Sequence, residues 1–336
     1  MKSLIMKSFP CTLPIDCPTD DEALKDFDEL CAYTPRVRNI SWNSRSHGIT
    51  KMYDYTLPID RVGMQSSNRF HYNARMACDS VNSPSVIRSW YIKKFRKGLE
   101  SSVYYKKSPK TALALRKYIP SQFRPASAKT LYTAFNAKKI YDPCMGWGDR
   151  LSGSLASDVD FYYGRDVNPF LFAGYSEQVK RLHSTTETHY EMIGSETSCP
   201  EPDFFDLVFT SPPYFKAEKY AGDAQSHALY KKFDAWLDGF MLPMAKHSYD
   251  SINDMGHVVF NVSDIYCDHT TNHICEPLIN YMISLGANYK GAIGYEMGKR
   301  VNRNSNKSQT AGFSEPVLIF AKKDQRTIDD IFGNIV

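Results

Sequence analysis

The chain has 336 residues, 42% hydrophobic and 23% charged, which suits one large globular domain or two modest ones. No apolar run approaches the ~18 residues of a membrane span, and the first 20 residues lack a continuous apolar stretch, so neither a membrane protein nor a secreted one is expected. Eight cysteines without a Cys-x-x-Cys pair predict reduced thiols and a cytoplasmic setting, and a net charge of +4 conceals 18 Lys+Arg against 4 Asp+Glu between 51 and 141.

That basic block, set beside a surplus of nine negative charges over 142–336, predicts a polyanion partner, with a solvated basic surface as the plain alternative. Ahead of it, Leu24, Phe27 and Leu30 sit at helical spacing among acidic residues and predict a short amphipathic helix. The stretch through Arg75 has no clear period. From Asn82 the signals sharpen, with Ser83 as the expected N-cap and Pro84 at the first helical position. Val86, Ile87, Trp90, Tyr91 and Phe95 then form one side, with Lys93, Lys94, Arg96 and Lys97 on the rest. Basic groups interleaved with aromatics suit a nucleic-acid surface, though a helix packing Trp90 inward would read the same. Short helices are expected over 111–118 and 126–135, separated by a loop at 121–125.

Beyond residue 139 strand and helix signals alternate. Strands are expected at 140–142, 161–164, 189–193, 207–210, 257–262, 289–294 and 316–320, and helices at 151–157, 171–182, 229–248 and 274–285. This pattern predicts an α/β fold with a doubly wound, mostly parallel sheet. The last two strands have no helix between them and are expected to pair antiparallel at one edge.

Three strand ends carry chemistry. Asp142-Pro143-Cys144-Met145-Gly146-Trp147-Gly148 ends the first strand, and its two glycines allow a tight turn and close approach of a ligand to the backbone. It is neither a dinucleotide fingerprint nor a P-loop, and Asp142 is placed to hold a cationic amino group. Asp166, at the tip of the second strand, is placed for ribose hydroxyls, although an Asp after a strand also serves as a helix N-cap. Glu196 follows the third strand, where it could edge an adenine ring. Together these tips suit a nucleoside that carries an amino acid and no phosphate, as S-adenosylmethionine does. The fourth strand stops at Ser211-Pro212-Pro213-Tyr214, where two prolines that cannot donate to a ladder force the chain out of the sheet.

With these motifs the chain resembles the S-adenosylmethionine-dependent DNA amino-methyltransferases. Residues 142–148 resemble that family's glycine loop, Ser211–Tyr214 its Ser/Asn/Asp-Pro-Pro-Tyr/Phe motif, and Phe123-Arg124-Pro125 its additional cofactor motif. The likeness spans about residues 119–322. It implies a seven-stranded Rossmann-like methyltransferase domain over 113–336, preceded by a basic, largely helical extension over 1–112. It further implies a cofactor site of Phe123, Pro125, Asp142, Pro143, Gly146, Gly148, Asp166 and Glu196. DNA is the implied partner, with N4 of cytosine slightly favoured over N6 of adenine because Ser stands at 211; RNA or protein glutamine remains open.

Mechanistically, Ser211 Oγ and the Pro212 carbonyl would accept hydrogen bonds from the target amino group, and Tyr214 would stack on an extruded base. Cys144 lies in the cofactor loop and reads as a buried thiol. Cys267, His269, His273 and Cys275 match no common zinc spacing and read as flanking a helix capped by Thr270 or Thr271. Lys299, Arg300, Arg303 and Lys307, between the last two strands, are expected to reach a nucleic-acid backbone or to lie on an exposed loop.

Overall fold

The computed structural model describes residues 17–80, 84–101, 119–216, 218–220, 223–267, 269–296 and 314–336. Helix α1 (Asp20–Ala32) starts in a capping box, with the Thr19 hydroxyl accepting from the Glu22 N–H and the Glu22 carboxylate accepting from the Thr19 N–H. Strands β1 (Arg38–Asn39) and β2 (Met52–Leu57) follow, then helix α2 (Met64–Met76) and the short strand β3 (Asp79–Ser80). Helices α3 (Val86–Tyr91) and α4 (Lys93–Glu100) come next, and α5 (Pro125–Ala134) leads into the alternating half. That half runs β4 (Lys139–Asp142), α6 (Asp149–Leu155), β5 (Phe161–Arg165), α7 (Phe172–Arg181), β6 (Glu187–Glu191) and β7 (Phe205–Thr210). After β8 (Glu218–Lys219), two single turns, α8 (Ser226–Leu229) and α9 (Phe233–Trp236), precede a π-turn over Leu237–Met241 and α10 (Leu242–Ser251). The chain closes through β9 (Ile252–Asn261), the hairpin β10 (Ile265–Cys267) and β11 (Thr270–Asn272), α11 (Cys275–Ser284), β12 (Asn288–Glu296), β13 (Ser314–Ala321) and α12 (Ile328–Phe332).

The main sheet has the order β1-β2-β12-β13-β9-β7-β4-β5-β6. Strands β4, β5, β6, β7 and β9 are mutually parallel, and β13 runs antiparallel between β9 and β12. All seven expected strands are therefore present in a doubly wound α/β sheet. Two features differ from expectation. The antiparallel pair β12–β13 is not at an edge, because β2 pairs parallel with β12 and β1 extends beyond it. Those two strands come from a stretch with no readable period: β2 buries Tyr55, Thr56 and Leu57 in succession and finds its partner more than 230 residues away.

The boundary expected at residue 112 does not mark a separate core. Phe27, Leu30, Val37 and Leu57 belong to the same buried cluster as Ile140, Leu151, Leu207 and Phe209. Lys129 of α5 reaches across this junction and donates to the last carbonyls of α1, Leu30 at 2.8 Å and Cys31 at 2.7 Å. Such a contact satisfies helix-end acceptors that would otherwise need water.

Local corrections have local causes. Ser85, not Ser83, caps α3, its hydroxyl accepting from the Arg88 N–H at 3.2 Å, so Pro84 precedes the cap. The expected helix over 86–95 breaks at Ile92. The expected helix over 229–248 is interrupted by the π-turn ahead of Pro243, which has no N–H to offer the Gly239 carbonyl in α-register. The helix expected at 111–118 lies outside the described residues.

Candidate functional site

Sheet order reverses at β4, which has β5 on one side and β7 on the other, and ligands of open α/β sheets bind outside the strand ends at such a switch point. A cavity opens there, at the kind of place that small-molecule sites of such sheets occupy. Its walls include Pro143, Gly146 and Trp147 after β4, Asp166 and Asn168 after β5, and Ser195 and Glu196 after β6. Ser211 and Pro213 after β7 close another side, with Tyr220, Gln225 and Phe240. The glycine loop after β4 and the proline turn after β7 thus face one space.

Asp142 holds this corner together from beneath. Its carboxylate is fully buried and accepts from Arg150 Nε at 2.8 Å, the Tyr162 hydroxyl at 2.7 Å, the Thr210 hydroxyl at 3.0 Å and the Cys144 N–H at 3.2 Å. Arg150 also donates to the Cys144 carbonyl. The cation that Asp142 holds is therefore Arg150, and the expectation that it grips a ligand's amino group is corrected: its lone pairs are taken and it does not line the cavity. The Thr210 contact does matter to the site, since it ties the end of β4 to the residue preceding Ser211.

The two glycines divide in function. Gly146, at φ 57°, would direct a Cβ into open space whose nearest neighbour is the Cys144 carbonyl at 3.8 Å, so its backbone borders the cavity. Its N–H donates to Asp166 Oδ2 at 2.8 Å and its carbonyl accepts from the Tyr175 hydroxyl at 2.6 Å. Gly148, at φ 70°, lies away from the cavity; a Cβ there would overlap Gln178 and the His71 ring. It is required for helix packing.

Asp166 lines the cavity, and burial raises its carboxyl to about 6, against hydrogen bonds from the Asn168 and Gly146 N–H groups. Burial also raises the Glu196 carboxyl, and Glu196 Oε2 is buried without a hydrogen-bond partner among the described residues. An orphaned acceptor in a cavity wall is costly unless a ligand donates to it. Arg165 fixes two walls: its carbonyl accepts from the Met145 N–H at 2.9 Å and its guanidinium donates to the Ser198 carbonyl at 2.6 Å.

At the proline turn, the Phe215 N–H donates to the Pro213 carbonyl at 3.1 Å; Pro213 lines the cavity, whereas Pro212 is buried and does not line it. Phe215 adopts φ 38°, a left-handed conformation unusual for a bulky residue. It is held there by ring contacts with Phe233 and Trp236, each 5.8 Å between centroids. Tyr214 packs against the same buried cluster and does not line the cavity; the aromatic walls are Trp147, Tyr220 and Phe240.

No protein-family model and no curated protein matches the chain. Among solved structures it is similar to a protein of Listeria monocytogenes described as an S-adenosylmethionine-dependent methyltransferase, at 14% identity over 59% of this chain and 96% of that one, with a TM-score of 0.37. A methyltransferase of Pyrococcus furiosus gives 16% identity over 68% and 98%, with a TM-score of 0.38. NSun6 of Pyrococcus horikoshii gives 11% identity over 67% and 56%, with a TM-score of 0.40. At this level no residue-by-residue equivalence follows.

The other expected site residues fall in three groups. Phe123 and Pro125 lie outside the cavity: Phe123 stacks on Tyr295 at 4.8 Å, and Pro125 is the buried first residue of α5. Lys93, Lys94, Arg96 and Lys97 are all exposed on α4. Lys299, Arg300, Arg303 and Lys307 lie outside the described residues. Burial raises the Cys144 thiol far above its ordinary value, which disfavours a thiolate nucleophile. The N-cap position of α11 is Ile274, not Thr270 or Thr271, and the carboxylate of Asp264, from the preceding loop, accepts from the Ile274 and Cys275 N–H groups at 2.8 and 3.0 Å. Among the described residues no cluster of three or more His, Cys, Asp or Glu could hold a metal ion. Phe240, Gln225 and Ser226 are cavity residues that sequence reasoning missed. The signal for Phe240 is Pro243, whose position inside an apolar helical pattern marks an irregular turn; Gln225 and Ser226, at the start of α8, carry none.

Proposed function

We propose that this chain transfers a methyl group from S-adenosylmethionine to the exocyclic amino nitrogen of a nucleic-acid base, with N4 of cytosine in DNA ahead of N6 of adenine. The observation that carries the reading is one cavity shared by Gly146, Asp166 and Glu196 on one wall and by Ser211 and Pro213 on another. The residues fit the cofactor: Glu196 Oε2 is a buried acceptor in need of a donor, Asp166 is an acceptor at the second strand tip, and Gly146 leaves room beside its backbone. When bound, the cofactor supplies an electrophilic methyl group on a sulfonium.

The chain's own residues then have defined tasks. Ser211 Oγ and the Pro212 carbonyl accept from the two N–H groups of the target amine, whose lone pair is otherwise delocalised into the ring. Holding both N–H groups favours a pyramidal nitrogen and aims its lone pair, so catalysis is positioning and electrostatics. Tyr214 backs the turn, and Tyr220 and Trp147, 5.6 Å apart, offer rings to an extruded base.

Incubation with labelled cofactor and separate DNA, RNA and protein pools, followed by mass analysis of the products, tests the substrate. Ser211→Ala is expected to lower methyl transfer on the order of 100-fold, the scale of removing one preorganised hydrogen bond, with cofactor affinity unchanged; Tyr214→Ala is also expected to slow it. Full activity in both variants refutes the mechanism.

A further inference from the structure

Ser226 lines the cavity, and the methylation mechanism gives it no task. It is the first residue of α8 and is 5% exposed. Its hydroxyl oxygen accepts from Trp236 Nε1 at 3.1 Å. An indole N–H is a donor only, whereas a serine hydroxyl has one proton and two lone pairs. The contact therefore uses a lone pair and leaves the Ser226 proton to be donated elsewhere; among the described residues nothing accepts it. Nor does the hydroxyl cap α8, whose N-cap position is Gln225 and which has no side-chain cap bond.

Trp236 fixes this hydroxyl relative to the proline turn. The indole is fully buried, and its ring lies 5.8 Å from Phe215 and 5.7 Å from Phe240. A single side chain thus touches the residue after Tyr214, the start of α8 and the π-turn on the cavity wall. Close-packed interiors yield little, so these three pieces keep their relative positions. The cavity walls also divide by hydrogen-bonding sense. Asp166 and Glu196 present carboxylate acceptors, and the Ser195 hydroxyl is spent on the Pro143 carbonyl at 2.6 Å. Ser226 adds a donor.

We propose that Ser226 is a specificity-determining residue: it donates to the ring nitrogen beside the target amine while Ser211 accepts from the amine itself, and Trp236 is the positioning residue that holds it. The inference rests on the base-methylation reading and names the edge of the base that is read. The exocyclic amine of cytosine or adenine stands beside a ring acceptor, N3 or N1, so that edge presents a donor and an acceptor side by side. Ser211 matches the first and Ser226 the second. A base whose ring acceptor is buried without a donor bears the cost of that desolvated group, which is how a hydroxyl here discriminates between substrates. The amine of a lysine side chain has no acceptor beside it and does not meet the requirement.

The test takes an oligonucleotide that is methylated in the labelled-cofactor assay and replaces its target cytosine by 3-deazacytosine, or its target adenine by 1-deazaadenine, so that C–H stands where the ring nitrogen was. Single-turnover rates on the natural and the deaza strand are compared for the full chain and for Ser226→Ala, with S-adenosylmethionine binding followed by calorimetry. Ser226→Ala is expected to slow the natural strand about tenfold, the scale of one hydrogen bond, and to leave the deaza strand and cofactor affinity unchanged. Because both strands meet the same folded enzyme, a loss of stability in the variant cancels from the comparison. Trp236→Phe, which keeps a ring in place and removes the N–H, is expected to show a loss confined to the natural strand as well. Equal slowing of both strands by Ser226→Ala, no slowing of either, or weakened cofactor binding overturns the inference while base methylation stands. Absence of methyl transfer to any base by the unaltered chain refutes the methylation reading, and this inference with it.

Discussion

At the scale of single residues, Asp142 shows how a carboxylate at a strand end is assigned its task by its neighbours. Its type and position suit a ligand's ammonium group or an internal ion pair equally well in one dimension. Only the fold brings Arg150, Tyr162 and Thr210 to it. Removing one partner of a buried pair leaves the other charge uncompensated and costs roughly 3–5 kcal/mol. Asp142→Asn is therefore expected to lower the denaturation midpoint markedly while the folded fraction still binds cofactor; normal stability with cofactor binding lost would return Asp142 to the ligand. Asp166 differs because it faces the cavity and titrates near 6. A hydroxyl donor prefers the ionised carboxylate, so cofactor affinity is expected to fall about tenfold per pH unit below that value. Asp166→Asn should bind weakly with no such slope, measured by calorimetry between pH 7.5 and 5.

Among elements, those read correctly from sequence are those whose signal is local. Strand β7 is an apolar run ended by two prolines, and α5 covers most of the helix expected over 126–135, although it takes in Pro125, which the sequence reading left in the preceding loop; both signals are visible without knowledge of partners. The misread elements depend on distant contacts, as β2 does on β12, or on a bond that is missing, as in the turn before Pro243. That π-turn is closed by the Leu242 N–H donating to the Leu237 carbonyl, and it carries Phe240 into the cavity wall. Pro243→Ala restores the donor that α-register needs. The variant is expected to gain about 1–3 kcal/mol in stability and to bind cofactor more weakly as Phe240 rotates with the tightened turn. Lower stability, or unchanged cofactor affinity, would show that the turn is set by something other than the proline.

Across the whole molecule, the N-terminal part is built into the sheet and core through polar as well as apolar contacts. His71 of α2 is buried against α6 and α7, with Nε2 3.0 Å from Gln178 Oε1, while Gln178 donates to the Gly148 carbonyl and the Ser152 hydroxyl. Burial lowers the His71 pKa from 6.5 to about 4. Between these values the unfolded chain carries a proton that the folded chain refuses, so this group's contribution to stability is present above pH 6.5 and is lost as pH falls toward 4. The loss amounts to about 3 kcal/mol for this group. Asp149, which burial raises to about 6, acts with the opposite sign: the folded state keeps its proton, and that contribution is lost as pH rises from 3.8 through 6. Comparing denaturation curves of wild type and His71→Gln isolates the histidine. The variant is expected to improve relative to wild type as pH falls from 7 to 4, and parallel curves would mean that His71 is not sealed in this junction.

What the amino-acid sequence by itself determined is the alternation of strands and helices, the sharp turn at Ser211–Tyr214 and the acidic strand tips, because each arises from the geometry of a few consecutive residues. The tertiary structure alone decided which acid faces the cavity, which glycine is there for packing, and that residues 38–57 complete the sheet. Those outcomes depend on side chains tens to hundreds of residues apart competing for the same buried space, and local pattern holds no record of that competition.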